Sequence, residues 1–147
     1  MPSARIFFSP EQAKQIEKAI QSAEENTSGE IRVFIENRCK GEALVRAAKA
    51  FHRLGMDKTV LKNGVLFYVA ARDKKFAVAG DAGIHKQVPA DFWDAVRDAV
   101  LQKFSGNHFA DGLCEGIAMA GIELKKYFPL SSTDKNELSN EVTFGKS

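Results

Sequence analysis

Three short stretches hold most of the oxygen-bearing side chains that could do chemistry: Thr27-Ser28-Gly29-Glu30, Lys62-Asn63-Gly64 and Gly80-Asp81-Ala82-Gly83. Asp57 and Thr59 lie just upstream of the second. An oxygen-only set of this kind suits a hard cation such as calcium or magnesium. Glycines at such places let backbone groups come close to a ligand. A competing reading needs no ligand, because Gly, Asn, Asp and Ser are also what ordinary turns require.

His85 follows the third stretch and can serve as a general acid or base if a substrate binds there. His52 and His108 stand alone in the sequence, and His52 falls late in a helix, where a cation suits the dipole. A second group of residues, Asn37, Arg38, Cys39, Arg72 and Lys74, makes a basic rim suited to an anion, or simply a solvated edge. Cys39 and Cys114 have no CxxC or Cys/His companion, so they read as two buried thiols and not as a zinc or redox motif.

The elements that must position these groups can be read from periodicity. Ser9-Pro10-Glu11-Gln12 supplies an N-cap hydroxyl, a proline at the first helical position and a capping-box glutamine. Ala13, Ile16, Ile20 and Ala23 then mark one buried helical stripe. Glu30–Glu36 alternates at period two and predicts a strand with Ile31, Val33 and Ile35 on one face. Phe34 on the other face implies that both faces are covered. Leu44, Ala47, Ala48, Phe51 and Leu54 mark the stripe of a second helix, closed by Gly55.

Residues 65–71 and 76–79 are apolar runs so close together that they pair as an antiparallel hairpin. Strand, helix, strand across residues 30–71 reads as a parallel crossover. Phe92, Val96, Val100 and Phe104 line a further helix opened near Pro89. Phe109, Leu113, Ile117, Ala120 and Leu124 line the last, which ends before Pro129. Gly112, Gly116 and Ala120 let that helix lie close to the sheet, and Trp93 packs on the sheet face. The expected architecture is a single-domain three-layer α/β/α sandwich with a small mixed sheet of three or four strands. Residues 1–8 form a lead-in, 9–129 the domain, and 130–147 a disordered tail.

Strand directions bring the three opening stretches to one edge. The third strand runs back, so Gly80-Asp81 ends beside Asn63-Gly64, and parallelism sets Glu30 at the same place. The turn around Asp81 predicts a positive φ at Gly80 or Gly83.

Composition excludes several classes. The chain has 147 residues, with 21 basic and 19 acidic side chains and a net charge of +2. These charges alternate without a block, which argues against nucleic acid. No run approaches a membrane span, and the first residues carry no signal peptide, so a cytoplasmic monomer is expected.

With these stretches quoted, the chain resembles the TPM domain family. The resemblance rests on TSGEIRVFIE, on LGMDKTVLKNGVLFYVA, and on FAVAGDAGIHKQVPADFW with the Phe104-to-Gly121 region behind it. It implies a compact sheet with helices on both sides, divalent-metal binding with calcium foremost, and a weak phosphatase activity known from a chloroplast member. In that reading Asp81, Glu30, Asp57 and Asn63 supply the metal's oxygens, and Asp81 and His85 are the catalytic candidates. Lys62 and His85 stand where other members often carry acidic residues. The alternative is a non-enzymatic accessory module that binds a protein partner.

Overall fold

The computed structural model describes residues 8–106, 108–130 and 142–145. Helix α1 (Pro10–Glu24) starts with the expected capping box: the Ser9 hydroxyl accepts from Gln12 N, and the Gln12 side chain accepts from Ser9 N at 2.9 Å. Ile16 and Ile20 are fully buried along it. Strand β1 (Glu30–Glu36) follows, then α2 (Ala43–Arg53), a 3-10 turn at Met56–Lys58, and β2 (Gly64–Ala70). Strand β3 (Lys75–Gly80) leads into a one-turn helix α3 (Ala82–His85), then α4 (Phe92–Ser105), α5 (Phe109–Tyr127) and β4 (Thr143–Phe144).

The sheet order is β3-β2-β1-β4. β1 and β2 are parallel, with Glu30 opposite Gly64 and Glu36 opposite Ala70. β2 and β3 are antiparallel, with Val65 opposite Gly80. All seven residues of β2 are buried, as the central strand of a sheet covered on both sides must be.

The two faces carry separate cores. Ile31, Val33, Ile35, Val65, Phe67 and Val69 pack under α1, α4 and α5. Phe34, Leu66, Tyr68 and Ala77 pack under α2 with Ala47, Ala50, Phe51 and Met56. A single α/β domain with a mixed sheet was the expectation, and it holds.

Several local expectations change. The α2 stripe is rotated: Leu44 is 59 % exposed and Ala48 is exposed, while Ala47, Ala50 and Phe51 face the sheet. The turn of that face is matched by Arg46, which reaches inward to Glu36. Neither Gly80 nor Gly83 has positive φ, contrary to the sequence expectation; among the described residues the left-handed glycines are Gly41 and Gly55. Asp81 opens α3 instead of a left-handed turn, with its Oδ1 accepting from Ala82 N at 2.7 Å.

Both glycines are required by space. A Cβ on Gly83 would stand 2.4 Å from Leu61 O and 2.5 Å from Lys62 O, and one on Gly80 would stand 2.8 Å from Trp93 Cζ2. Gly116 plays the expected close-packing role in α5, where a Cβ would meet Val100 and Phe67.

The chain end also differs. Residues 1–7, 131–141 and 146–147 lie outside the described residues, and with them most of the expected lead-in and tail. Within that tail, however, Thr143–Phe144 pairs in parallel with Phe34 and Ile35 of β1. Among the described residues no helix is long and apolar enough to cross a membrane.

Candidate functional site

The edge at the start of β1 and β2 brings the three stretches together. Glu30 N donates to Asn63 O at 3.3 Å, and Asp81 N donates to Gly64 O at 3.0 Å. The Asn63 side-chain amide donates to Ser28 Oγ at 3.3 Å. Thr27 turns back to the end of α5, its hydroxyl donating to Phe128 O, while it accepts from Gly29 N at 3.0 Å. Glu30, Asn63 and Thr59 are each about 2 % exposed, so this edge is polar yet largely shut from water.

Asp57 enters from the 3-10 turn after α2. Its Oδ2 lies 3.0 Å from His52 Nδ1, and the hydrogen bond from His52 is the main cause that holds its carboxyl below the usual range. Lys62 Nζ donates to the Asp57 backbone carbonyl. Lys62 itself has φ 52°, a strained value for a side-chain-bearing residue. A shallow cavity of about 160 Å³ lies between α2 and the end of β3, lined by Ala48, Phe51, His52, Ala79, Gly80 and Asp81. His52, which the sequence marked only as a helix-end histidine, therefore lies nearer to Asp57 and Asp81 than its isolation suggested.

His85 goes elsewhere. It is exposed on α3, with its ring 6.0 Å from that of Trp93, and it does not line the cavity that Asp81 lines.

Three oxygens at this edge are buried and without a hydrogen-bond partner: Asp57 Oδ1, Thr59 Oγ1 and Asp81 Oδ2. An orphaned carboxylate oxygen shut from water is costly, and a hard cation is a partner that satisfies it. Oxygens are the donor type that a divalent ion takes. Lys62 works against it by occupying one carbonyl and adding a positive charge. Among the described residues no group of three or more His, Cys, Asp or Glu is gathered closely enough to hold a metal. The backbones of Glu30 and Asp81 join Asn63 and Gly64 at the start of β2, and any ion there would draw on backbone, Thr and Asn oxygens as well.

One acidic residue of this edge escaped the sequence reading. Glu24, at the end of α1, accepts from Ile31 N through Oε2 at 2.7 Å. Burial pushes its pKa up to about 7, with the nearby charge of Glu30 adding to the rise and the Ile31 hydrogen bond opposing it. Its place on the fading end of a helical stripe gave no sign that it would turn inward.

At the opposite edge, Glu36 is buried and held bidentately by Arg46 at 2.9 and 3.0 Å, with Tyr68 donating to the same carboxylate. Burial, then the bond to Glu36, pushes the Tyr68 phenol far above its usual range. Asp73 Oδ2 accepts from Cys39 N at 2.8 Å, and Lys75 Nζ donates to the carbonyls of Cys39 and Gly41. Arg38, Arg72 and Lys74 of the expected basic rim are exposed. Cys39 is buried and Cys114 is half-buried, both with free thiols.

The sequence profile of the TPM domain matches residues 4–122. No curated protein matches the chain. Among solved structures, the BA42 protein of the psychrophilic bacterium Bizionia argentinensis is 47% identical, with 95% of this chain and 96% of that one covered and a TM-score of 0.87. The N-terminal domain of the cg2496 protein of Corynebacterium glutamicum is 16% identical over 90% of this chain and 80% of its own, with a TM-score of 0.64. The N-terminal domain of a P. gingivalis protein is 16% identical over 83% and 79%, with a TM-score of 0.67, and these two share the fold alone.

Proposed function

From the premise that the chain belongs to the TPM domain family, we propose that the edge formed by residues 28–30, 57–64 and 80–81 takes up a hard divalent cation, calcium by preference, and supports slow hydrolysis of phosphate esters. The observation that carries this reading is the trio of buried, unpartnered oxygens on Asp57, Thr59 and Asp81. Asp81, Glu30, Asp57 and Asn63 are its ligand candidates. An ion held there would polarise a phosphoryl oxygen. Of the chain's own groups, Asp81 orients the site from the N-cap of α3; His85, the catalytic partner expected from the sequence, faces Trp93 outside the cavity that Asp81 lines and would have to turn to deliver a proton there.

Calcium titration followed by amide shifts tests the ion. The expected result is shifts at Gly80, Asp81, Ala82 and Gly83 by millimolar calcium; their absence would end the metal reading. For catalysis, turnover of an aryl phosphate must vanish in Asp81→Ala, or a contaminant is responsible.

A second reading, an accessory module that binds an acidic protein, is favoured by a different observation. Leu44 and Val45 are 59% and 55% exposed on the first turn of α2, which starts at the edge where Arg38, Arg72 and Lys74 stand exposed. A partner that the wild type retains and that Arg38→Glu/Arg72→Glu releases would support it. Retention by both would remove it.

A further inference from the structure

The most exposed large apolar residue among the described ones is Val60, at 81 %, and Leu61 beside it is 49 % exposed. They sit at the centre of a tight turn. Lys62 N donates to Thr59 O at 3.4 Å, Thr59 is buried beneath, and Lys62 takes the left-handed conformation that closes the turn. The turn is buttressed from behind, since Gly83 of α3 approaches the carbonyls of Leu61 and Lys62 so closely that no Cβ would fit. Two apolar side chains are therefore held outward by a braced turn. Hydrophobic burial within the fold does not explain them.

Lysines lie on both sides of this tip in sequence and on the helix behind it. Lys58 and Lys62 flank it in sequence, and Lys86 caps α3, the helix that packs against the turn. All three are exposed, although the Lys62 ammonium also donates to the Asp57 carbonyl.

We propose that the Val60–Leu61 tip docks on an anionic lipid surface, with both apolar side chains entering the interface and Lys58, Lys62 and Lys86 at headgroup level. Shape decides the choice of occupant. A stable protein interface buries roughly 800 Å² on each partner, which a convex two-residue tip cannot supply alone. A fluid interface closes around a convex tip of any size, and lysine stems reach from apolar depth to charged headgroups. One weak apolar signal and one weak basic signal together give reversible binding, and each is needed. This docking does not depend on the proposed divalent-ion site.

Vesicle sedimentation in the presence of a chelator tests the inference with the full chain. Binding is expected to phosphatidylcholine–phosphatidylserine vesicles, to weaken in high salt, and to be absent with phosphatidylcholine alone. Val60→Asp/Leu61→Asp should weaken it by about tenfold or more, and Lys58→Glu/Lys86→Glu likewise. Both variants alter only exposed side chains, so an unchanged amide spectrum will verify their fold. Val60→Trp should show blue-shifted emission with the anionic vesicles only. No sedimentation of the wild type, equal binding to neutral vesicles, or undiminished binding by the double aspartate variant would each overturn the proposal. So would a protein partner whose capture depends on Val60 and Leu61 while vesicles are ignored. If calcium shifts the Asp81 region but vesicles do not bind, only the lipid inference fails.

Discussion

The Tyr68 hydroxyl donates to the carboxylate of Glu36, which lies two residues beyond Phe34, the register partner of Tyr68 on the neighbouring parallel strand. Arg46 closes the arrangement from α2 with two further bonds, and its guanidinium lies 5.6 Å from the centre of the Phe34 ring. A buried carboxylate thus has its charge matched and its lone pairs engaged. Tyr68→Phe should cost about 1–2 kcal/mol, because Glu36 keeps Arg46. Glu36→Ala should cost about 3 kcal/mol or more, because it strands Arg46 and Tyr68 together. Urea unfolding of the two variants measures both, and equal costs would mean that the arginine contributes little.

Glu24 makes stability depend on pH. Its carboxyl titrates at 4.5 ordinarily and at about 7 in the fold. Between those values the folded state keeps a proton that the unfolded chain has released, so the contribution of Glu24 to stability is most favourable below 4.5 and falls as pH rises to 7. Glu24→Gln can still accept from Ile31 N and carries no charge. It should stabilise the protein at pH 8 by about 1–2 kcal/mol, a figure reduced for the residue's partial exposure, and leave it unchanged at pH 4. Denaturation midpoints of both proteins across this range provide the check; parallel curves would refute it.

The glycines before and within α3 separate two kinds of crowding. Gly83→Ala drives a methyl into two backbone carbonyls that cannot move away. It should cost about 2–3 kcal/mol, near the upper end for overpacking. Gly80→Ala meets the rim of Trp93, a side chain able to shift, and should cost about 1 kcal/mol. Thermal melts will rank them, and the reverse order would contradict the role assigned to residues 61–62.

Asp81→Asn keeps the Oδ1 that caps Ala82 and removes the charge. It should abolish calcium-induced shifts while changing the stability by less than about 1 kcal/mol. Lys62→Asn should do the reverse for affinity, strengthening calcium binding by about threefold to tenfold, since asparagine tolerates the left-handed backbone and the opposing cation is gone. Calorimetric titration of the two variants tests the pair of effects.

Much of this arrangement was legible in the residues. The capping box at Ser9, the alternation in β1 and the short gap between β2 and β3 act locally, and they specify elements and strand directions together. Those directions alone were enough to bring Glu30, Asn63 and Asp81 to one edge. Most of what stayed hidden depends on partners outside the reach of local periodicity. The rotation of α2 goes with the reach of Arg46 to Glu36, which hydrophobic periodicity does not register. Gly80 and Gly83 looked like conformational residues, yet they answer to Trp93 and to the 61–62 carbonyls. The His52–Asp57 pair joins the end of a helix to the turn after it, and no spacing rule singles it out. β4 consists of two residues, too few to produce a pattern.

That small strand determines what the outer margin of β1 offers to other chains. Near its start, β1 is screened by the segment after α5, where Ser28 N donates to Phe128 O and Leu130 N to Asn26 O. Near its end, Gly145 N donates to Ile35 O at 2.7 Å and Arg32 reaches Thr143 Oγ1. Displacing residues 142–145 would bare a run of backbone donors and acceptors along Phe34 and Ile35, with an apolar side chain on either face. A margin of that kind is a template on which a second copy can lay its own strand, and growth can then repeat. The short closing strand therefore keeps that margin of β1 occupied, and β3 is left as the other edge of the sheet.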